Sequence, residues 1–204
     1  MTAPVIGVLA LQGSFADHHA ALESCGATAV TVRRISELES VDGLVIPGGE
    51  STTIARLLRV FELAAPLRER IASGLPVYGT CAGMILLADR VTDNTAPRTV
   101  GGMDVLVRRN AFGRQTESFE ADLQVAGIAD DAHGGPLRAV FIRAPLIEQC
   151  GPAVNVLARV RLADGSNPVV AAQQGHLLAT SFHPEITGEL RLHQHFVGMC
   201  SSGR

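Results

Sequence analysis

Apolar positions along the chain fall in short runs separated by glycine-, proline- and serine-rich breaks, with stretches of helical spacing between them. Val5–Leu9 is the first such run and reads as a strand, with "QGS" after it as a turn. Phe15–Cys25 puts Phe15, His18, Leu22 and Cys25 on one helical face, and Gly26 stands in a helix-stop position. Thr28–Val32 is a β-branched strand. Leu44–Ile46 is another strand, closed by a Pro-Gly-Gly break, and Ser51 or Thr52 is placed to cap a helix through Leu58 and Val60. Pro66–Ala72 continues as helix before Gly74. Pro76–Tyr78 is the next strand, and Ala82–Arg90 reads as a helix.

Strands alternating with helices at this rhythm predict parallel pairing with helices on both faces. The middle of the chain changes character. "TDNTAPRTVGG" and "GIADDAHGGP" read as surface loops, and Val105–Arg108 and Ser118–Val125 alternate as antiparallel strands do. Val140–Ile142, Val154–Val160, Val169–Ala172 and Leu177–Ser181 add further strands. A closing helix is predicted from about Gly188 to Met199, with Ser201–Arg204 frayed. The expected fold is a three-layer α/β domain over 1–200: a mostly parallel central sheet flanked by helices, with an antiparallel edge. No repeat, linker or low-complexity tract interrupts it.

Composition changes this picture little. At 204 residues the chain fits one domain with a real core. No apolar run approaches the roughly 20 residues of a membrane span. The N-terminal "MTAPVIGVLALQGSF" lacks a basic leader and reads as a first strand, so the cytoplasm is the expected location. Net charge is −3 and the basic residues are scattered, which removes the electrostatic footprint of a nucleic-acid binder. Cys25, Cys81, Cys150 and Cys200 form no CxxC pair and no zinc spacing, and all four are expected to be reduced.

Cys81 differs from the other three by its neighbours. In "YGTCAGM" it sits where a strand meets a helix, flanked by Gly79, Ala82 and Gly83. A sharp strand-to-helix turn strains its apex residue and tolerates only small flanks, as in the nucleophile elbow of hydrolases. The helix N-terminus behind it favours thiolate over thiol. A small residue packing helix on sheet would look similar, so this segment permits a nucleophile without requiring one. A base is available in "SFHPEITGE", which puts His183 at a strand end, where open α/β sheets keep their sites. Pro184 biases His183 toward extended backbone, in which Glu185, two residues on, leans back to orient the imidazole and stabilise its cation. The glycines of "VIPGGEST" free the backbone to turn, so Gly49 N–H and Ala82 N–H could hold an oxyanion. A phosphate loop is the competing reading, but there is no G-K-[ST] and Glu50 would repel phosphate.

G-T-C-A-G, P-G-G-E-S-T and H-P-E together resemble class I (triad) glutamine amidotransferase domains, which have a flavodoxin-like sheet. "IGVLALQG", "LVIPGGESTT", "RRNAFGRQTESFE", "VFIRAP" and "SFHPE" narrow the resemblance to the glutaminase subunits of pyridoxal 5′-phosphate synthase, the PdxT/SNO family, over nearly the whole chain. The resemblance implies that Cys81 attacks the side-chain amide of L-glutamine to form a glutamyl thioester. His183 then moves the protons and Glu185 orients it. It carries glutamine contacts onto Gly49, Glu50, Ser51, Arg109, Ile142 and Arg143. An arginine there would suit the substrate carboxylate and Glu50 its ammonium, while Gln12 would border the site. It implies a (β/α)₈-barrel synthase subunit as the hetero-oligomeric partner that receives the ammonia, and no metal or cofactor. A glutaminase feeding another biosynthetic synthase, or a non-enzymatic binding module of the same fold, are the alternatives.

Overall fold

The computed structural model describes residues 2–92, 98–111, 118–128 and 135–201. Five parallel strands form one half of the main sheet: β1 (Val5–Leu9), β2 (Thr28–Val32), β3 (Gly43–Ile46), β4 (Val77–Thr80) and β12 (Leu177–Thr180). Their order is β2-β1-β3-β4-β12, with all neighbours parallel, which is the order of a flavodoxin-like doubly wound sheet. The sheet continues as β11 (Val169–Gln174), β9 (Leu146–Cys150), β6 (Met103–Arg108) and β5 (Ala88–Val91), while β10 (Asn155–Arg159) also pairs with β11. Here the pairings are antiparallel, except between β5 and β6. The sheet is thus mixed and mostly parallel, with the antiparallel pairings gathered on the side beyond β12. A separate two-stranded ribbon joins β7 (Ser118–Leu123) to β8 (Leu137–Ile142).

The central parallel strands β3, β4 and β12 are buried on both faces, and their alternate side chains feed two cores. Leu44, Ile46, Val77 and Ala179 pack with α2 (Ile35–Glu39), α3 (Ser51–Val60), α4 (Ala64–Ala72) and α5 (Ala82–Leu87). Ile6, Val8, Val45, Tyr78 and Leu178 pack on the other side with α1 (Phe15–Ser24), α7 (Arg191–Ser201) and the β7–β8 ribbon.

Several elements depart from the sequence reading. The helix expected over Ala82–Arg90 stops at Leu87, and Ala88–Val91 becomes β5. The Leu86 carbonyl, which would have continued the helix, instead accepts from the N–H groups of Val100 and Gly101. The cap of α3 is neither Ser51 nor Thr52. Glu50 takes that role, its carboxylate accepting from Thr53 N–H at 2.7 Å and from the Thr52 hydroxyl. Glu62, at φ 58°, sits between α3 and α4, which the sequence reading ran together. The final helix starts at Arg191 and runs through Ser201, the first residue of the expected tail; 202–204 lie outside the described residues. Residues 112–117 of "AFGRQTES", and 93–97 and 129–134 of the two expected middle loops, also lie outside them.

Candidate active site

The carboxyl ends of neighbouring parallel strands lie level, so the turns that follow them converge. Ile46 pairs with Gly79 and Thr80 with Thr180, which brings the turns after β3, β4 and β12 to one height. Cys81 N–H donates to the Thr180 carbonyl at 2.8 Å, tying the turn after β4 to the end of β12.

Cys81 occupies that turn at φ 49°, ψ −102°, a conformation L residues rarely hold. The small flanks expected from the sequence are sterically required. A Cβ on Gly83 would lie 2.1 Å from the Ile46 carbonyl oxygen, and one on Gly79 would lie 2.6 Å from the Gly83 backbone. The elbow exists because three backbone segments touch where a side chain would stand.

His183 follows β12 and caps α6 (Pro184–Thr187). Pro184 is therefore the first residue of a helical turn, and Glu185 reaches His183 from that turn rather than along an extended strand. The predicted contact forms, but by a different local geometry: His183 Nδ1 donates to Glu185 Oε1 at 2.8 Å. Ser14 Oγ donates to the same oxygen at 2.7 Å. The Glu185 side chain is fully buried. Burial alone would raise its pKa, but the hydrogen bond from His183, the electrostatic influence of the His18 and His183 rings and the Ser14 hydroxyl outweigh it and hold the carboxyl down at about 2. Burial likewise works against a charged His183, yet the Cys81 sulfur and the Glu185 carboxylate beside the ring raise its pKa to about 10. The imidazolium is the favoured form in this setting. The ring itself is laid over Gly48, where a Cβ would come within 2.3 Å of its Cε1 and 3.4 Å of the Cys81 Cβ.

A cleft of about 320 Å³ opens in front of Cys81 and His183. It is lined by Gln12, Gly49, Glu50, Ser51, Ala82, Arg109, Ile142 and Arg143, every remaining residue singled out from sequence, together with Ile85 and Asn110. Glu185 stands behind His183, outside the cleft. Among the described residues, four non-glycine positions have positive φ, and three of them line this cleft: Cys81, Asn110 at 46° and Arg143 at 43°.

The two arginines of "RRN" part company. Arg108 pairs with Glu148 at 2.9 Å on the surface, whereas Arg109 lies 3.4 Å from Glu50 Oε1 with its side chain 15% exposed. The Glu50 carboxylate therefore caps α3 and faces Arg109 as well. Burial raises its pKa, but the Thr52 and Thr53 hydrogen bonds prevail and bring it to about 2. Gln12 Oε1 accepts from Glu50 N–H at 2.8 Å, fixing the loop after β1 to the cleft. Gly48, Ser14, Asn110 and Ile85 were missed by sequence reasoning. Only Gly48 left a trace there, as the first glycine of the Pro-Gly-Gly turn.

The model of the SNO glutamine amidotransferase family matches residues 8–202. A protein of Kineococcus radiotolerans named pyridoxal 5′-phosphate synthase subunit PdxT is 63% identical over 196 residues, covering 96% of this chain and 94% of that one. A protein of the same name from Salinispora arenicola is 58% identical, with 98% of each chain covered. A crystal structure titled glutamine amidotransferase superposes with a TM-score of 0.85 at 44% identity, covering 96% of this chain and 98% of that one. PurLQS from Thermotoga maritima, 17% identical with a TM-score of 0.71 and both chains fully covered, shares the fold. Matched along nearly its whole length, the chain belongs to the SNO glutamine amidotransferase family.

Proposed function

We propose that this chain is the glutaminase subunit of a pyridoxal 5′-phosphate synthase, hydrolysing L-glutamine to L-glutamate and ammonia for a synthase partner. The observation that carries the reading is the strained Cys81 at the mouth of the cleft, beside an imidazole whose other nitrogen is held by a buried carboxylate. Identity of 58–63% over nearly the whole of these PdxT relatives supports the choice of synthase over another amidotransferase partner.

In this mechanism Cys81 Sγ attacks the carboxamide carbon, and the oxyanion is received by the N–H groups of Gly49 and Ala82. His183 gives its proton to the amide nitrogen as the C–N bond breaks, so ammonia leaves and a thioester remains. His183 then takes a proton from water, hydroxide adds to the thioester, and collapse expels the thiolate with glutamate. Glu185 keeps the Nδ1–H tautomer and offsets the imidazolium charge. Arg109 and Arg143 stand at the cleft where an α-carboxylate can be met, and Gly49, Glu50, Ser51 and Ile142 complete the glutamine pocket. The partner is read as a (β/α)₈-barrel subunit, and the complex as cytoplasmic; no helix among the described residues is long and apolar enough to cross a membrane.

The test pairs two nitrogen sources. With Cys81→Ala in the assembled complex, glutamine-dependent ammonia release and pyridoxal 5′-phosphate formation should both stop, while added ammonium salt restores the product. Continued glutamine hydrolysis by the variant would overturn the reading.

A further inference from the structure

Behind the triad lies a buried polar chain to which neither the family likeness nor the mechanism above gives a role. Glu185 presents two oxygens with different surroundings. Oε1 receives both His183 and Ser14, whereas Oε2 is buried and makes no conventional hydrogen bond. His18 Nε2 stands 3.4 Å from Oε2 and 3.1 Å from Thr80 Oγ1, and both the His18 and Glu185 side chains are fully buried. His18 Nδ1 is 2.9 Å from His193 Nε2. Tyr78 closes the cluster edge-on, its ring centroid 6.5 Å from that of His18 and 5.8 Å from that of His193. One imidazole thus joins α1 to α7, to the residue before the nucleophile and to the carboxylate behind the base.

We propose that His18 is a positioning residue of the triad: its Nε2, hydrogen-bonded to Thr80 and 3.4 Å from Glu185 Oε2, holds the carboxylate in the rotamer that orients His183. This rests on the glutaminase reading only for its kinetic consequence. The tautomer follows from counting donors. An ionised carboxylate only accepts, so a lone pair on His18 Nε2 would face a buried negative oxygen with no donor, a costly arrangement. With the proton on Nε2, shared between Oε2 and Thr80 in a long three-centre contact, Nδ1 must accept from His193 Nε2–H. That leaves His193 Nδ1 as a lone pair, buried without a conventional hydrogen-bond partner among the described residues, with the Glu189 backbone near the ring. An unpaired neutral acceptor costs less than an unpaired charge. Burial keeps His18 neutral down to about pH 4, despite the charge of Glu185, with His193 and His183 acting in the same direction as burial. His18 is therefore a neutral donor, and Glu185 remains the counter-ion of His183.

Two amide substitutions separate the nitrogens, because glutamine carries its amide nitrogen to about the place of Nε2 and asparagine only to that of Nδ1. The full chain assembled with its synthase partner is assayed for glutaminase, and the far-downfield proton signal of His183 Nδ1–H is recorded on the same variants. His18→Asn should lower kcat about tenfold or more with the KM for glutamine within about twofold, the size expected for losing a buried polar contact to a charged group. It should also displace or broaden the Nδ1–H signal. His18→Gln should keep kcat within about threefold of wild type and retain the signal. Equal kcat and equal signals in the two variants, whether both intact or both damaged, would overturn the proposal by reducing His18 to a packing role. If the wild-type complex released no ammonia from glutamine, the glutaminase reading would fall, and the proton signals would still decide the His18 contact.

Discussion

The His183 ring is pinned between Glu185 and the backbone of Gly48, and Gly48→Ala measures how tightly. The added Cβ would sit 2.3 Å from Cε1 and 2.9 Å from Nδ1, and only 3.4 Å from the Cys81 Cβ. Ordinary carbon contacts begin near 3.4 Å, so the ring must retreat by about 1 Å. It has nowhere to go without stretching the 2.8 Å bond to a fully buried Glu185. Gly48 lies outside the left-handed φ range, so alanine meets no backbone penalty there and the clash is the whole perturbation. Overpacking of this kind costs about 1–3 kcal/mol of stability, which for a chain of this size lowers Tm by roughly 2–12 °C. The catalytic cost is larger, because about 1 Å of misplacement between reacting groups is worth about 10²-fold in rate. The variant should therefore be folded and assemble with its partner, with glutaminase kcat down about a hundredfold and a modestly lower Tm. Gly83→Ala serves as contrast: its Cβ would meet the Ile46 carbonyl at 2.1 Å, a backbone atom, and should cost the fold itself. A folded Gly48→Ala protein with kcat within about threefold of wild type would show that the ring is not pinned, and the geometric account of the site would fail.

Glu185→Gln removes the charge that stabilises imidazolium while keeping the shape; kcat should fall by about 10²- to 10⁴-fold, with the KM for glutamine nearly unchanged in steady-state assays. Arg109→Met should do the reverse, raising that KM about tenfold or more while kcat stays within about threefold, because the guanidinium beside Glu50 is read as a substrate contact. Thermal melts should show Tm rising as pH increases from about 4 to 6.5. In that window the unfolded chain binds a proton on His18 that the buried neutral ring refuses, a contribution of about 3 kcal/mol. His193, lowered in the same direction by burial, adds to the slope, and His18→Gln should flatten it. Below pH 4.5, protonation of the unfolded chain at the position of Glu185, whose folded pKa is about 2, continues the loss of stability. A pH-independent Tm between 4 and 6.5 would contradict the buried neutral assignment of His18.

How much of this was legible beforehand follows the range of the physics involved. The parallel strands and their sequence were readable because a buried strand writes itself as a short apolar run, and Cys81 because an elbow admits only small neighbours. H-P-E was readable for the same local reason, although Glu185 makes its contact from a helical turn. The end of α5 was not readable: Leu86 trades its helical partner for the distant Val100 and Gly101 N–H groups, which no local propensity reports. Nor was the α3 cap, where Glu50 wins over Ser51 and Thr52.

The residues near Cys81, His183 and the paired glycines of 48 and 49 thus carried their own instructions, since each states a demand on its own stretch of backbone. Tertiary structure alone decided which partners stand behind them. His18 looked from sequence like one more position on the buried face of α1, and Arg109 was a candidate contact through the family resemblance alone. Folding set the first against Glu185, Thr80 and His193 and turned the second into the cleft. The reason is that hydrogen bonds and charges act across a few ångströms of space whatever the separation along the chain, and only the stacked sheet brings those ångströms about.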